Sequence, residues 1–169
     1  MMSRNDVLEV LEHLASHDID VWVDGGWGID ALVGSQTRPH GDLDLVVAQG
    51  DLPRAEAALA GAGFERAREV TPGLPARLAL SATGERRVDL HPVVFDDHGN
   101  GWQPLGGGAW GGYPADGLAG SGAIGGRDVC CVTAELQLRH HLGYQLAETD
   151  CHDLRLLAQQ FGIALPPDL

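Results

Sequence analysis

Apolar residues recur at helical spacing at Val7, Leu8, Leu11, Leu14 and Ala15 behind Ser3, a good N-cap, and this predicts a helix over 4–17. Ile19 to Asp24 alternates and is rich in β-branched residues, so it reads as a strand. Gly25-Gly26 breaks that pattern, and Trp27 to Val33 gives about two helical turns closed by Gly34. Pro39 and Gly41 punctuate a loop before a second strand, Leu43 to Ala48. Asp51 caps a helix that runs through Ala62, with Pro53 tolerated in its first turn. Two further strands, Arg77 to Ala82 and Arg86 to Val94, are joined by the turn Thr83-Gly84-Glu85. Near the end, Thr133 caps a helix to about Ala147 and Asp150 caps a last one through Gln160. Mixed helices and strands followed by a helical tail predict an α+β, or mixed α/β, fold: a mixed β-sheet flanked by helices with a short helical C-terminal segment.

Between the last strand and that tail the pattern changes. Over residues 98–126, 12 of the 29 positions are glycine, interleaved with Trp102, Trp110, Tyr113, Leu118 and Ile124. A flexible low-complexity linker is one reading. Tight turns and short strands folded over the domain are the other, and it is preferred because a linker rarely carries two tryptophans and a tyrosine that seek burial. The chain of 169 residues fits one domain over 1–169. Within it, 1–97 forms a sheet core, 98–130 Gly-rich turns and short strands, and 131–169 C-terminal helices.

Composition narrows the partners. Acidic residues number 24 against 11 basic ones, all arginine, for a net charge of −13. Binding to nucleic acid or to an anionic membrane surface needs clustered basic residues, so neither is expected. The charge suits metal cations or an amine-bearing small molecule, and also serves plain solubility. Cys130, Cys131 and Cys151 show no C-x-x-C spacing and read as reduced, mostly buried thiols. The N-terminus lacks a signal-peptide core and no apolar run is long enough to cross a bilayer, which together predict a cytoplasmic protein. A homodimer is the general prior for a small soluble enzyme.

The candidate chemistry begins at Asp42-Leu43-Asp44. On a strand, positions 42 and 44 place two carboxylates on one face, where they repel each other unless a cation lies between them. Mg²⁺ is a suitable resident because it takes a few carboxylates and completes its shell with water and phosphate oxygens; most isolated D-x-D pairs, however, are solvated surface. On Arg86 to Val94, Arg87, Asp89 and His91 share a face, so Asp89 adds a third carboxylate, as metal ligand or as general base for a hydroxyl. A salt bridge from Asp89 to Arg87 or Arg38 is the structural alternative. Asp24-Gly25-Gly26-Trp27-Gly28-Ile29-Asp30 joins a strand to a helix start, where exposed amides favour phosphate oxygens. The spacing matches neither G-x-G-x-x-G nor a P-loop, and the chain has no lysine to serve one.

Taken together, Gly25-Gly26-Trp27 and Arg38-Pro39-His40-Gly41-Asp42-Leu43-Asp44 resemble the signature of antibiotic nucleotidyltransferases of the polymerase-β-like superfamily, and in particular the small lincosamide nucleotidyltransferases. Trp22 to Gly28, Val88-Asp89-Leu90-His91-Pro92, Arg77 within Pro75-Ala76-Arg77, and Gln137, His141, Gly143-Tyr144, Glu148-Thr149-Asp150 and Asp153 are similar too, over nearly the whole chain. The resemblance implies the nucleotidyltransferase fold and Mg²⁺-dependent transfer of a nucleoside monophosphate, AMP from ATP, to a hydroxyl of a lincosamide antibiotic, with one or two Mg²⁺ ions. An aminoglycoside acceptor, another acceptor, or nucleotide binding alone are the alternatives. Asp42, Asp44 and Asp89 would be the catalytic and metal-binding carboxylates. Gly25, Gly26, Trp27, Asp30, Arg38 and His40 would bind the nucleotide. Arg77, His91, His141, Tyr144 and Glu148 would face the acceptor, although His91 could equally bond within the sheet and the 137/141/144/148 stripe could be an ordinary polar helix face. The Gly-rich stretch 98–126 departs from that family, and with it the acceptor-binding surface.

Overall fold

The computed structural model describes residues 1–67, 76–142 and 144–166; Pro75 and Gly143 of the signature lie outside them. Helix α1 (Arg4–Ala15) is capped as its sequence predicts: the Asp6 amide donates to Ser3 Oγ at 3.2 Å and the Ser3 amide to Asp6 Oδ2 at 2.9 Å. Strand β1 (Val21–Asp24) starts two residues later than the alternation suggests, because Ile19 is buried in the turn that leads to it. Helix α2 (Gly25–Val33) begins at Gly25, not Trp27, since the Asp24 carboxylate caps it by accepting from the Gly25 amide at 2.8 Å. Strand β2 (Leu43–Ala48) and helix α3 (Leu52–Gly61) fall as expected. A two-residue strand β3 (Glu65–Arg66), too short to leave a pattern, precedes β4 (Leu78–Ala82) and β5 (Arg86–Phe95).

The Gly-rich stretch is folded. It forms β6 (Gly101–Pro104), β7 (Trp110–Tyr113) and β8 (Gly120–Ile124), and β9 (Arg127–Cys131) follows directly. Helix α4 (Ala134–His140) ends seven residues before the sequence suggests, and α5 (Glu148–Phe161) begins three residues early. There the Asp150 side chain reaches back to the Ala147 amide at 2.9 Å, so it acts from inside the first turn rather than ahead of it.

The strands form a mixed sheet in the order β3-β4-β5-β2-β1-β9-β8, with β6 and β7 branching from the end of β5. Pairs β2–β5 and β1–β9 are parallel and the others antiparallel. On one face Val23, Leu43, Leu45, Val47, Val88 and Leu90 pack against Val7, Val10 and Leu14 of α1 and Ala58 and Leu59 of α3, which makes the main core. The opposite face is covered more thinly: Val46 and Val93 meet Tyr113, Leu118, Val132 and Leu136. Helices α2, α4 and α5 join through Ile29, Ala134, Leu154 and Leu157. Cys131 is buried and Cys151 half-buried, as expected, whereas Cys130 is exposed. Among the described residues no helix is long and apolar enough to cross a membrane.

Candidate active site

Strand register builds the site. Asp24 pairs with Asp44 across β1 and β2, and Asp44 with Asp89 across β2 and β5. Paired residues point to the same face, so three carboxylates stand in a row on the thinly covered side of the sheet. Asp42 precedes β2 by one residue and is half-buried. Burial, and then the charges of Asp44 and Asp89, push its carboxyl pKa above the usual range. Asp89 is fully buried and is shifted upward by burial and by Asp44 against the pull of two arginines. Arg77 Nη1 lies 2.9 Å from Asp89 Oδ2, an ion pair outside hydrogen-bond angles, and Arg87 Nε donates to Asp89 Oδ1 at 3.3 Å. The salt-bridge reading of Asp89 thus holds for Arg87 but not for Arg38, which turns elsewhere.

His91 shares the face of Asp89. Its Nε2 is 3.0 Å from Asp44 Oδ1, and its Nδ1 is 3.3 Å from Gln103 Nε2 on β6. Burial disfavours charge on the ring, but the hydrogen bond and charge of Asp44 outweigh it and raise the imidazole pKa. His91 therefore bonds within the sheet and also borders the cleft.

The glycine turn lies directly over this row. Gly25 has φ +59°, and a Cβ there would stand 2.4 Å from Asp44 Oδ2. A Cβ on Gly26 would stand 2.3 Å from His40 Nδ1 and 2.9 Å from Arg38 Nη2. Behind the turn, Asp30 and His40 are buried as a pair joined through Oδ2 and Nε2, and Thr37 donates to Asp30 Oδ1 from its amide at 3.0 Å and its hydroxyl at 2.7 Å. Trp27 is core, with its ring centroid 4.9 Å from that of His40. Arg38 Nε donates to both oxygens of buried Asp153 on α5, at 3.0 and 3.1 Å. So Trp27, Asp30, Arg38 and His40 buttress the glycine turn, while Gly25 and Gly26 form its surface.

A cleft of about 420 Å³ opens beside Asp44, between the sheet face, the β6–β7 ribbon and α4. His91, His141 and Tyr144 line it, whereas Arg77 and Glu148 are not among its lining residues. Arg77 is engaged with Asp89, and Glu148 is exposed at the first position of α5. His141 Nδ1 bonds the Gln137 carbonyl at 2.8 Å, and its ring lies 6.2 Å from that of Tyr144.

Sequence reasoning passed over Asp24, Gln103, Tyr113 and His140 as site residues and kept Gln137 only within the 137/141/144/148 stripe, yet all line the cleft. The Tyr113 hydroxyl donates to Asp24 Oδ2 at 3.2 Å, and burial together with the Asp24 charge holds the phenol well above its ordinary pKa. His140 packs edge-on against Tyr113 at 4.7 Å, and burial lowers its pKa. The available signals were Asp24 at the strand end beside the glycines, and Tyr113 as an aromatic seeking burial.

Among the described residues no three His, Cys, Asp or Glu side chains form a ready-made metal cage. The Asp42–Asp44 pair nonetheless fits a hard cation that arrives with phosphate, because Mg²⁺ usually takes one or two carboxylates and draws its remaining ligands from phosphate and water. Burial and the neighbouring carboxylates raise the Asp42 pKa even against the pull of Arg87 and Arg77, and such a cation would relieve that cost.

A model of the aminoglycoside-2''-adenylyltransferase family matches residues 6–157. A lincosamide resistance protein of Staphylococcus haemolyticus is 31% identical over 153 residues, 89% of each chain. A 2''-aminoglycoside nucleotidyltransferase of Klebsiella pneumoniae is 28% identical over 89 residues, 53% of this chain and 48% of that protein. The crystal structure of a lincomycin-bound lincosamide antibiotic adenylyltransferase superposes with a TM-score of 0.79 at 26% identity, over 92% of this chain and 96% of that one. An aminoglycoside enzyme in complex with adenylyl-2''-tobramycin shares the fold, with a TM-score of 0.70 at 20% identity over 94% of this chain and 89% of the other. With its mixed sheet, its carboxylate row and its glycine turn, the chain belongs to the aminoglycoside-2''-adenylyltransferase family.

Proposed function

We propose that the protein transfers AMP from ATP to a hydroxyl of a lincosamide antibiotic, releases pyrophosphate and so inactivates the drug. The observation that carries the reading is the meeting of the Asp42–Asp44 pair, the Gly25–Gly26 turn and a cleft of about 420 Å³ at one sheet face. Phosphates fit the turn, a drug-sized acceptor fits the cleft, and Asp44 borders both. Mg²⁺ held by Asp42 and Asp44 would neutralise charge on the triphosphate and lower the pKa of the attacking hydroxyl. The chain itself supplies position. His91 and Gln103 fix the Asp44 carboxylate, and Arg77 and Arg87 fix Asp89. Burial raises the Asp89 pKa, which suits a carboxylate that takes the hydroxyl proton. Trp27, Asp30, Arg38 and His40 hold the turn beneath the phosphates. His91, His141 and Tyr144 present the acceptor wall, and Glu148 contributes only from the rim. Such a reaction asks little covalent chemistry of the protein, so orientation and electrostatics carry it.

The lincosamide assignment is supported by the extent of similarity, which covers 89% of the chain for the lincosamide relative and 53% for the aminoglycoside one. The net charge of −13 favours an aminoglycoside as the second reading. A cytoplasmic location follows from the need for ATP. Purified protein incubated with ATP, Mg²⁺ and either lincomycin or tobramycin separates them: mass spectrometry should find lincomycin heavier by one AMP. That product should vanish with EDTA, and Asp44→Asn should lower turnover by at least about 10²-fold. AMP on tobramycin alone selects the second reading, and neither product overturns antibiotic transfer.

A further inference from the structure

Asp24 differs from its neighbours in the carboxylate row. Asp89 is held by Arg77 and Arg87, and Asp44 meets His91. Among the described residues Asp24 has no cationic side chain in an ion pair. It accepts only from the Gly25 amide at 2.8 Å and the Tyr113 hydroxyl at 3.2 Å, both neutral donors. Its hydrogen bonds come only from neutral donors although it is 8% exposed, and the neighbouring His91 and His140 rings interact with it without bonding it, which leaves a place for an entering cation. A second group in the same cleft is also short of a partner. Gln137 is fully buried, and its Nε2 is directed to the Gly25 carbonyl at 3.4 Å, which leaves Oε1 without a hydrogen-bond donor.

The position selects the kind of cation. Asp24 lies across Asp44 from Asp89, on the cleft side of the row. Around it Leu105, Tyr113 and Tyr144 give the cleft apolar and aromatic surface. Such a wall suits an organic ammonium with its attached carbon skeleton better than a hydrated metal ion. Building on the acceptor reading above, we propose that Asp24 is the specificity-determining residue of the cleft: it receives the protonated amine of the antibiotic, and Gln137 Oε1 accepts a further donor from the same ligand. The amine thereby anchors the drug one strand away from Asp44 and presents its hydroxyl to the nucleotide. A lincosamide, with its single basic amine, needs one such carboxylate.

Isothermal titration calorimetry without nucleotide tests this directly. Lincomycin is compared with a derivative of the same drug whose ring nitrogen is acylated and uncharged. Wild-type protein should bind lincomycin at least roughly tenfold more tightly than the acylated form. Asp24→Asn, which keeps an oxygen for the Gly25 amide, should lose that preference, and its ATP–Mg²⁺ affinity is measured beside it. Equal binding of both drugs by the wild type overturns the proposal without any variant. A matching loss of ATP affinity in Asp24→Asn also overturns it, since Asp24 would then act only as the cap of α2. If wild type binds neither lincomycin form nor tobramycin, the acceptor reading falls and this role for Asp24 with it; unaltered lincomycin binding by the variant removes only Asp24.

Discussion

Asp42 shows how a single side chain carries a cost that the proposed role in holding Mg²⁺ would explain. Burial and the charges of Asp44 and Asp89 raise its pKa in the folded chain. The folded state therefore binds this proton more readily than the unfolded state does. Stability must then fall as pH rises from the ordinary carboxylate range through the raised value, and the deficit persists at neutral pH. Asp42→Asn should accordingly melt higher than wild type at pH 7 in EDTA, by the few degrees that relieving a strained functional site of ~0.5–2 kcal/mol produces. The gap should close as pH drops below the ordinary carboxylate range, where the Asp42 carboxyl is protonated in the folded and the unfolded chain alike. ATP with Mg²⁺ should raise the melting temperature of wild type and leave that of the variant unmoved. Equal melting of the two proteins at pH 7 would refute the strain. Of the candidate site residues, Asp42, Asp44 and Asp89 were legible as neighbours because each lies in a short motif with a period of two. Asp24 was not, since its place in the row depends on the pairing of β1 with β2 across a helix and a loop. Arg38 was visible as a candidate, but its partner Asp153 comes from a remote segment that no local pattern connects to it, whereas Arg77 meets Asp89 across the β4–β5 hairpin.

At the level of elements, the glycines of 98–126 mark close contact more than flexibility. Strand β8 lies against α2, and a Cβ on Gly122 would stand 2.3 Å from the Ala31 carbonyl oxygen. Backbone meets backbone there, so neither partner can rotate aside. Gly122→Ala should destabilise the fold by about 1–3 kcal/mol, the usual cost of overpacking. Gly50→Ala is the control: nothing lies within 4 Å of its added methyl, and surface changes of that kind stay within about 0.5 kcal/mol. Urea denaturation measures both, and equal midpoints would remove the contact argument. The same glycines explain why the middle of the chain was harder to read than its first half. Helices α1 and α3 and strands β2 and β5 each bury one regular face in the main core, so their periodicity is written in side chains. Strands β7 and β8 are held instead by small residues under neighbouring elements, and a strand made largely of glycine has no alternation to detect. Helix α4 ended early for a related reason. Its polar stripe at 137 and 141 continues in sequence, but the chain turns at His141, whose amide bonds back to the Gln137 and Leu138 carbonyls.

At the scale of the whole molecule, the net charge of −13 sets the two proposed substrates against each other. Arginines near the site do little to offset it, because Arg38 is engaged by Asp153 and Arg77 by Asp89. A nucleoside triphosphate, anionic even with Mg²⁺, approaches against the field, whereas an ammonium-bearing drug approaches along it. Salt weakens both effects, as the Debye length falls from about 30 Å at 0.01 M to about 8 Å at 0.15 M. With Mg²⁺ kept saturating, raising salt across that range should lower KM for ATP and raise KM for the drug, each by roughly two- to fivefold. The opposite signs are the discriminating feature, since a general loss of activity in salt would move both constants together. Acceptor valence adds a second measure: a polycationic aminoglycoside should show a steeper rise in KM than a lincosamide with one amine. Steady-state kinetics at three ionic strengths is sufficient, and constants that shift in the same direction for ATP and drug would show that the field at the cleft mouth is not that of the molecule as a whole.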